Sequence, residues 1–116
     1  IGNYQYVIDL INSEFSTYSG KYLEFMIRDL LAESGDYNII GTYWEKDNQN
    51  EIDIVACNQR KQHMLLIDVK LQAQKLNLDL LKYRAANFIK QYSDYQIEYK
   101  GFSLHDLDGL TGNAAL

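Results

Sequence analysis

Trp44-Glu45-Lys46-Asp47-Asn48-Gln49-Asn50-Glu51-Ile52-Asp53-Ile54-Val55-Ala56-Cys57-Asn58-Gln59-Arg60-Lys61-Gln62-His63-Met64-Leu65-Leu66-Ile67-Asp68-Val69-Lys70-Leu71 is the stretch around which the chain is organised. Polar four-residue breaks, Asp47–Asn50 and Asn58–Lys61, separate short aliphatic and β-branched runs, which reads as consecutive hairpins. Strand side chains alternate, so Glu51, Asp53 and Val55 are expected on one face and Ile52, Ile54 and Ala56 on the other. On the following run Met64, Leu66, Asp68 and Lys70 share a face. Two carboxyls and an ammonium can thus converge on one side of adjacent strands. Residues 64–69 are apolar except Asp68, the pattern of a strand covered on both faces. A carboxyl in that position needs a partner.

Working outward, Tyr4–Phe15 has apolar residues at 4, 7, 8, 11 and 15, a helical period, broken at Ser16 and Thr17. Ser19-Gly20-Lys21 opens a second helix to about Glu33, with Leu23, Met26, Ile27, Leu30 and Leu31 as its stripe and Gly35 as its stop. Asn38–Lys46 reads as the first strand. Beyond Lys70, Leu78–Ile89 returns to helical spacing, and Tyr95–Lys100 alternates as a half-buried strand ended by Gly101. Ser103–Asp108 reads as a short helix capped by Ser103, with a loose tail from Gly109. The order α-α-β-β-β-α-β predicts an α/β (mixed α+β) fold: a central mixed four-stranded sheet flanked by helices.

With 116 residues, 47% hydrophobic and 23% charged, the chain has the composition of one globular domain, 1–116, with a core over 19–107 and a tail over 109–116. No apolar run approaches the ~20 residues of a membrane helix, so a cytoplasmic setting without membrane contact is expected. The single cysteine, Cys57, excludes an internal disulfide and a cysteine-rich zinc site and reads as a small core residue. Neither His63 nor His105 has metal-ligand or Cys–His catalytic spacing to Cys57. Gly20-Lys21 is no Walker loop, because Phe15 stands where the first glycine belongs. A net charge of −5 means that any nucleic-acid role needs a local basic patch, metal ions or a neighbouring domain. A chain that opens on Ile1 is expected to be part of something longer.

Asp53, Asp68 and Lys70 are the candidate chemistry. Two carboxylates suit a hard cation such as Mg²⁺ (or Mn²⁺), and a lysine beside them can position or activate a water. The bland reading is a pair of strand-end acids answered by lysines on a solvated face. Glu24 lies at the margin of its helix stripe, as either a third carboxylate or an exposed i,i+4 partner of Arg28. Glu51 either supports a metal through water or merely starts a strand. Lys75, Lys82, Arg84 and Lys90 give the Leu78–Ile89 region a basic side, toward either solvent or a phosphate backbone. Trp44 and Tyr43 can stack on bases, or one of them belongs to the core.

Glu24, then Glu51-Ile52-Asp53-Ile54-Val55-Ala56, then Asp68-Val69-Lys70, in helix–strand–strand order, resembles the PD-(D/E)xK nuclease superfamily, with its restriction-endonuclease-like fold. Gly41-Thr42-Tyr43-Trp44-Glu45-Lys46 with Asn50–Ala56, and Ile97-Glu98-Tyr99-Lys100-Gly101-Phe102-Ser103-Leu104, is similar to the C-terminal domain of archaeal- and Bacteroides-type AAA ATPases. The resemblance covers about Lys21–Leu107. It implies Glu24, Asp53 and Asp68 as metal carboxylates and Lys70 as catalytic lysine. It further implies Mg²⁺- or Mn²⁺-dependent cleavage of DNA and an N-terminal ATPase domain in the same chain, leaving homo-oligomer formation open. Asp68 stands where relatives more often carry glutamate, and no proline precedes Asp53. The alternative is an inactive module of the same fold that serves docking, assembly or sensing.

Overall fold

The long apolar stripe and the two uninterrupted aliphatic runs settle the layout. The computed structural model describes residues 16–46 and 50–106. Helix α1 is Ser16–Ser34, followed by strands β1 (Ile39–Trp44), β2 (Glu51–Asn58) and β3 (His63–Val69). A 3-10 turn, Ala73–Lys75, precedes α2 (Leu78–Ile89), and β4 (Gln96–Phe102) closes the sheet. The sheet order is β1-β2-β3-β4, antiparallel for the first two pairs and parallel for β3 with β4, which α2 connects. The mixed sheet flanked by helices is therefore as the periodicities predict. The helix expected over 4–15 and the tail over 109–116 lie outside the described residues.

Each sheet face buries one helix. Leu23, Met26 and Ile27 of α1 pack on Ile54, Ala56, Leu65, Ile67 and Val69. On the other face Leu81, Ala85 and Phe88 of α2 cover Ile52, Val55, Cys57, Met64 and Leu66. Central β2 and β3 are thus covered on both sides, which accounts for their near-continuous hydrophobicity. Among the described residues no helix is long and apolar enough to cross a membrane.

Several boundaries differ from the sequence reading. Helix α1 begins at Ser16, so Ser16 and Thr17 are helical rather than a break. It stops at Gly35 (φ 74°), a left-handed position that glycine occupies without the Cβ clash. Gly101 lies inside β4 rather than ending it, in register with Asp68 and directly under the Leu76 side chain. The helix expected after Ser103 is present over 104–106, the last described residues, and the Ser103 N–H and hydroxyl both donate to Asp106 Oδ2.

The expected strict alternation along β2 is also corrected. Gly41 pairs with Val55 but Tyr43 with Ile52, so Asp53 and Ile54 together face Thr42. This β-bulge inserts one residue into β2 and turns Ile52 to the face of Val55 and Cys57 rather than that of Ile54 and Ala56.

The β1–β2 hairpin is held by Glu45. Its carboxylate accepts from Asn50 Nδ2 (2.7 Å) and from the Tyr43 hydroxyl (2.8 Å). These hydrogen bonds, Asn50's first, hold its carboxyl below the ordinary glutamate value of 4.5. A depressed carboxyl pKa stabilises the fold above the unfolded value, and that contribution disappears as pH falls through the folded one. The stability advantage of wild type over Glu45→Gln is expected to be present near neutral pH and to vanish in acid. Parallel thermal melts through the acid range measure it; an advantage independent of pH would contradict the assignment.

Candidate acidic site

Asp53 and Asp68 come together because the β2–β3 ladder, whose last pair is Ile54 with Ile67, brings the next residue of each strand opposite the other. The site lies where these two strands separate, and Asp53 fills the gap. Its Oδ2 accepts from the Val69 N–H at 2.8 Å, so a side chain extends the ladder by one bond. Asp68 is 6% exposed and is held beside Lys70, with Nζ 3.7 Å from Oδ1. The Lys70 backbone is tied to β4 by its N–H to Phe102 O at 3.0 Å.

The electrostatics are those of crowded acids. Burial pushes the Asp53 carboxyl above its usual value, and the Asp68 charge and a hydrogen bond to Asp68 add to the shift. The Val69 N–H and the Lys70 ammonium oppose it. Burial likewise raises Glu24 on α1, with Asp53 the next contribution and Lys21 and Arg28 acting against it. Glu24 pairs loosely with Lys21 at 4.0 Å, a different partner from the Arg28 considered for it. Glu51 is exposed at the start of β2, and its charge also reaches Glu24.

Asp68 therefore meets both Asp53 and Lys70, and Glu24 is in electrostatic range of Asp53 from the neighbouring helix. Among the described residues, no group of three or more histidine, cysteine, aspartate and glutamate side chains forms a metal-holding set. The directly joined donors are the two aspartates. That pair still suits Mg²⁺, which keeps several waters and takes one or two protein carboxylates. Hard oxygen donors that repel one another are the chemistry a divalent cation relieves.

The remaining candidates separate cleanly. Tyr43 packs against Phe88, ring centroids 4.6 Å apart, while Trp44 is 62% exposed. Cys57 is buried in the α2-side core. Lys75, Lys82 and Lys90 are exposed, Arg84 half-buried, and Lys82 sits over the Tyr99 ring at 5.5 Å. Tyr83, 73% exposed, lies on the same helix.

Sequence reasoning missed the contacts of Arg28 with the bulge. Its Nη2 donates to Thr42 Oγ1 and reaches Asp53 O at 3.4 Å, and Thr42 Oγ1 donates to the same carbonyl at 3.1 Å. The only hint available was the four-residue spacing from Glu24, which puts both on one helix face.

A family model for archaeal and bacterial proteins of unknown function matches residues 1–89, a span that includes Glu24, Asp53, Asp68 and Lys70. No curated protein and no solved structure gives a match.

Proposed function

The chain belongs to the DUF234 family, and we propose, from its acidic site, that it is a nuclease-like domain of the PD-(D/E)xK type, hydrolysing DNA phosphodiester bonds with Mg²⁺ or Mn²⁺. The observation that carries this reading is the juxtaposition of half-buried Asp53 and buried Asp68 just past the last β2–β3 pair, with Lys70 beside Asp68. Two adjoining carboxyls withdrawn from water are costly to a fold, since their charges repel and each loses solvation. Such an arrangement at a strand end is more readily understood as a site kept for chemistry.

Asp53 and Asp68 would hold the cation, with Glu24 supporting it. When bound, the cation supplies positive charge to the phosphoryl oxygens and makes a coordinated water more acidic. Lys70 provides the remaining charge: its ammonium, anchored beside Asp68, orients the attacking water or the phosphate it approaches. The surface of α2 offers a path for the strand. Residues 72–92 carry Lys75, Lys82, Arg84 and Lys90 against Asp79 alone. We assign delivery of DNA to an ATPase domain of the same chain, in a cytoplasmic setting, as the resemblance to AAA-type C-terminal domains implies.

One observation favours the inactive docking module: Asp53 already accepts from Val69 and Asp68 already pairs with Lys70. Metal titration separates the two. Mn²⁺ or Mg²⁺ at a hundredfold excess over its dissociation constant is expected to add about 2.7 kcal/mol to wild-type stability. Asp53→Asn keeps an acceptor for Val69 and replaces the acid–acid contact by an amide–acid hydrogen bond. In EDTA this variant is expected to melt a few degrees higher than wild type, by about 1 kcal/mol, and to lose most of the metal response. Equal metal shifts in both proteins would exclude the aspartate pair as the binding site.

A further inference from the structure

We propose that Arg28 is a positioning residue of the acidic site: acting through Thr42, it fixes the Asp53 carbonyl at the β-bulge and thereby holds the Asp53 carboxyl in its aim. This role rests on reading the aspartate pair as a functional site.

Asp53 and Ile54 together oppose Thr42, so the regular β1–β2 ladder is interrupted at this point. The Asp53 carbonyl is met there by side chains. Thr42 Oγ1 donates to it at 3.1 Å, and Arg28 Nη2 reaches it at 3.4 Å. A threonine hydroxyl has one proton. Having given that proton to the carbonyl, Thr42 can only accept from its other neighbour, and Arg28 Nη2 supplies that donor. The relay therefore has one direction: Arg28 to Thr42 to Asp53 O.

The same residue is pinned at its other end. Its carboxyl Oδ2 accepts from the Val69 N–H at 2.8 Å. Asp53 is thus tied through its backbone to α1 and β1, and through its side chain to β3. A shift of the carbonyl would swing the carboxyl away from both Val69 and Asp68.

Arg28 is held at some expense. Its Nε–H is buried without a partner among the described residues, and no described ion pair includes Arg28. A surface arginine would turn that donor to water; an arginine fixed by its head group cannot. Glu24 lies one turn earlier on the same helix, and its carboxyl feels the Asp53 charge. One turn of α1 therefore carries both the flanking acid and the clamp.

The Val69 amide is the reporter, read by hydrogen exchange on the complete chain in EDTA. In Thr42→Val and Arg28→Met it is expected to exchange at least about tenfold faster, while the amides of residues 65–67, in the same strand, keep their protection. Thr42→Ser retains the hydroxyl and is expected to restore Val69 to within about twofold of wild type. Unchanged Val69 exchange in Thr42→Val overturns the clamp. Equal acceleration throughout 65–69, or failure of Thr42→Ser to rescue, reduces it to ordinary packing and overturns it as well. Thr42→Val decides the matter alone if Arg28→Met does not fold, since it removes only the hydroxyl at constant shape. Mn²⁺ titration followed by electron paramagnetic resonance forms the second arm, with affinity in Thr42→Val expected to fall about tenfold or more. Wild type that takes up no Mn²⁺ refutes the metal reading, and the clamp is then judged on Val69 alone.

Discussion

Leu66→Ala is expected to remove about 2–5 kcal/mol of folding stability from the α2-side core. Leu66 is fully buried, sits opposite Val55 on β2 and Tyr99 on β4, and belongs to the cluster formed with Leu81, Ala85 and Phe88. It is therefore enclosed laterally by both neighbouring strands and above by a helix. A cavity there can close only if α2 sinks onto the sheet, which the adjoining Met64 and Ile52 side chains resist. Urea unfolding with an unchanged slope measures the effect. Leu80→Ala, on the exposed side of α2, is expected to change stability by less than about 0.5 kcal/mol. Similar losses for the two would mean that α2 presents a different face to the sheet.

Why Leu66 could be assigned to the core from sequence, while the bulge could not, is a matter of which forces act locally. The 64–69 run is apolar on both alternating faces because β3 lies between β2 and β4 and beneath a helix on each side, so its burial is written in composition. The stripe of Leu23, Met26 and Ile27 and that of Leu81, Ala85 and Phe88 are equally legible, since each follows from helical period alone. Element ends were less so. Ser16 and Thr17 can cap or continue a helix, and nothing in their own chemistry decides between the two. Gly101 has the character of a terminator, yet Leu76 fills the space above it and the strand runs on.

The site divides in the same way. Asp53, Asp68 and Lys70 were visible because charges within aliphatic runs demand an explanation, and the two strands are joined by a short turn that leaves little freedom in register. Glu24 was visible only as a residue on the boundary of a stripe. The clamp was not visible at all. Arg28, Thr42 and Asp53 come from a helix and two strands, with no repeating interval to mark them, and they meet only because the bulge exposes a carbonyl. The bulge in turn spoiled the predicted sharing of faces along β2 while leaving Asp53 beside Asp68. It re-aims a side chain within an otherwise regular sheet, and this is a frequent use of bulges near functional residues.

Lys70→Ala is expected to lower DNA cleavage by about a hundredfold or more while leaving Mn²⁺ uptake close to wild type, the split that distinguishes a group acting on the reaction from one that holds the ion. Lys70 follows Asp68 by two positions, and its ammonium stays within 3.7 Å of that carboxylate. It is half-buried, and its backbone N–H donates to Phe102, which fixes where the side chain leaves the sheet. Asp68→Asn should lose both uptake and cleavage, because it removes a donor rather than a neighbour. The acidic net charge and the modest basic surface of α2 together imply weak DNA affinity that falls further with salt. Cleavage should therefore be sought at low ionic strength with Mn²⁺, on single-stranded, duplex, flapped and four-way DNA. Activity that survives in both Lys70→Ala and Asp68→Asn would belong to another site or another protein. Mn²⁺ uptake without cleavage of any substrate, even with an ATPase domain present to deliver the strand, would instead assign the aspartate pair to a metal-stabilised docking module. In that case Lys70→Ala should alter neither partner binding nor metal response, since its ammonium would have no reaction to serve.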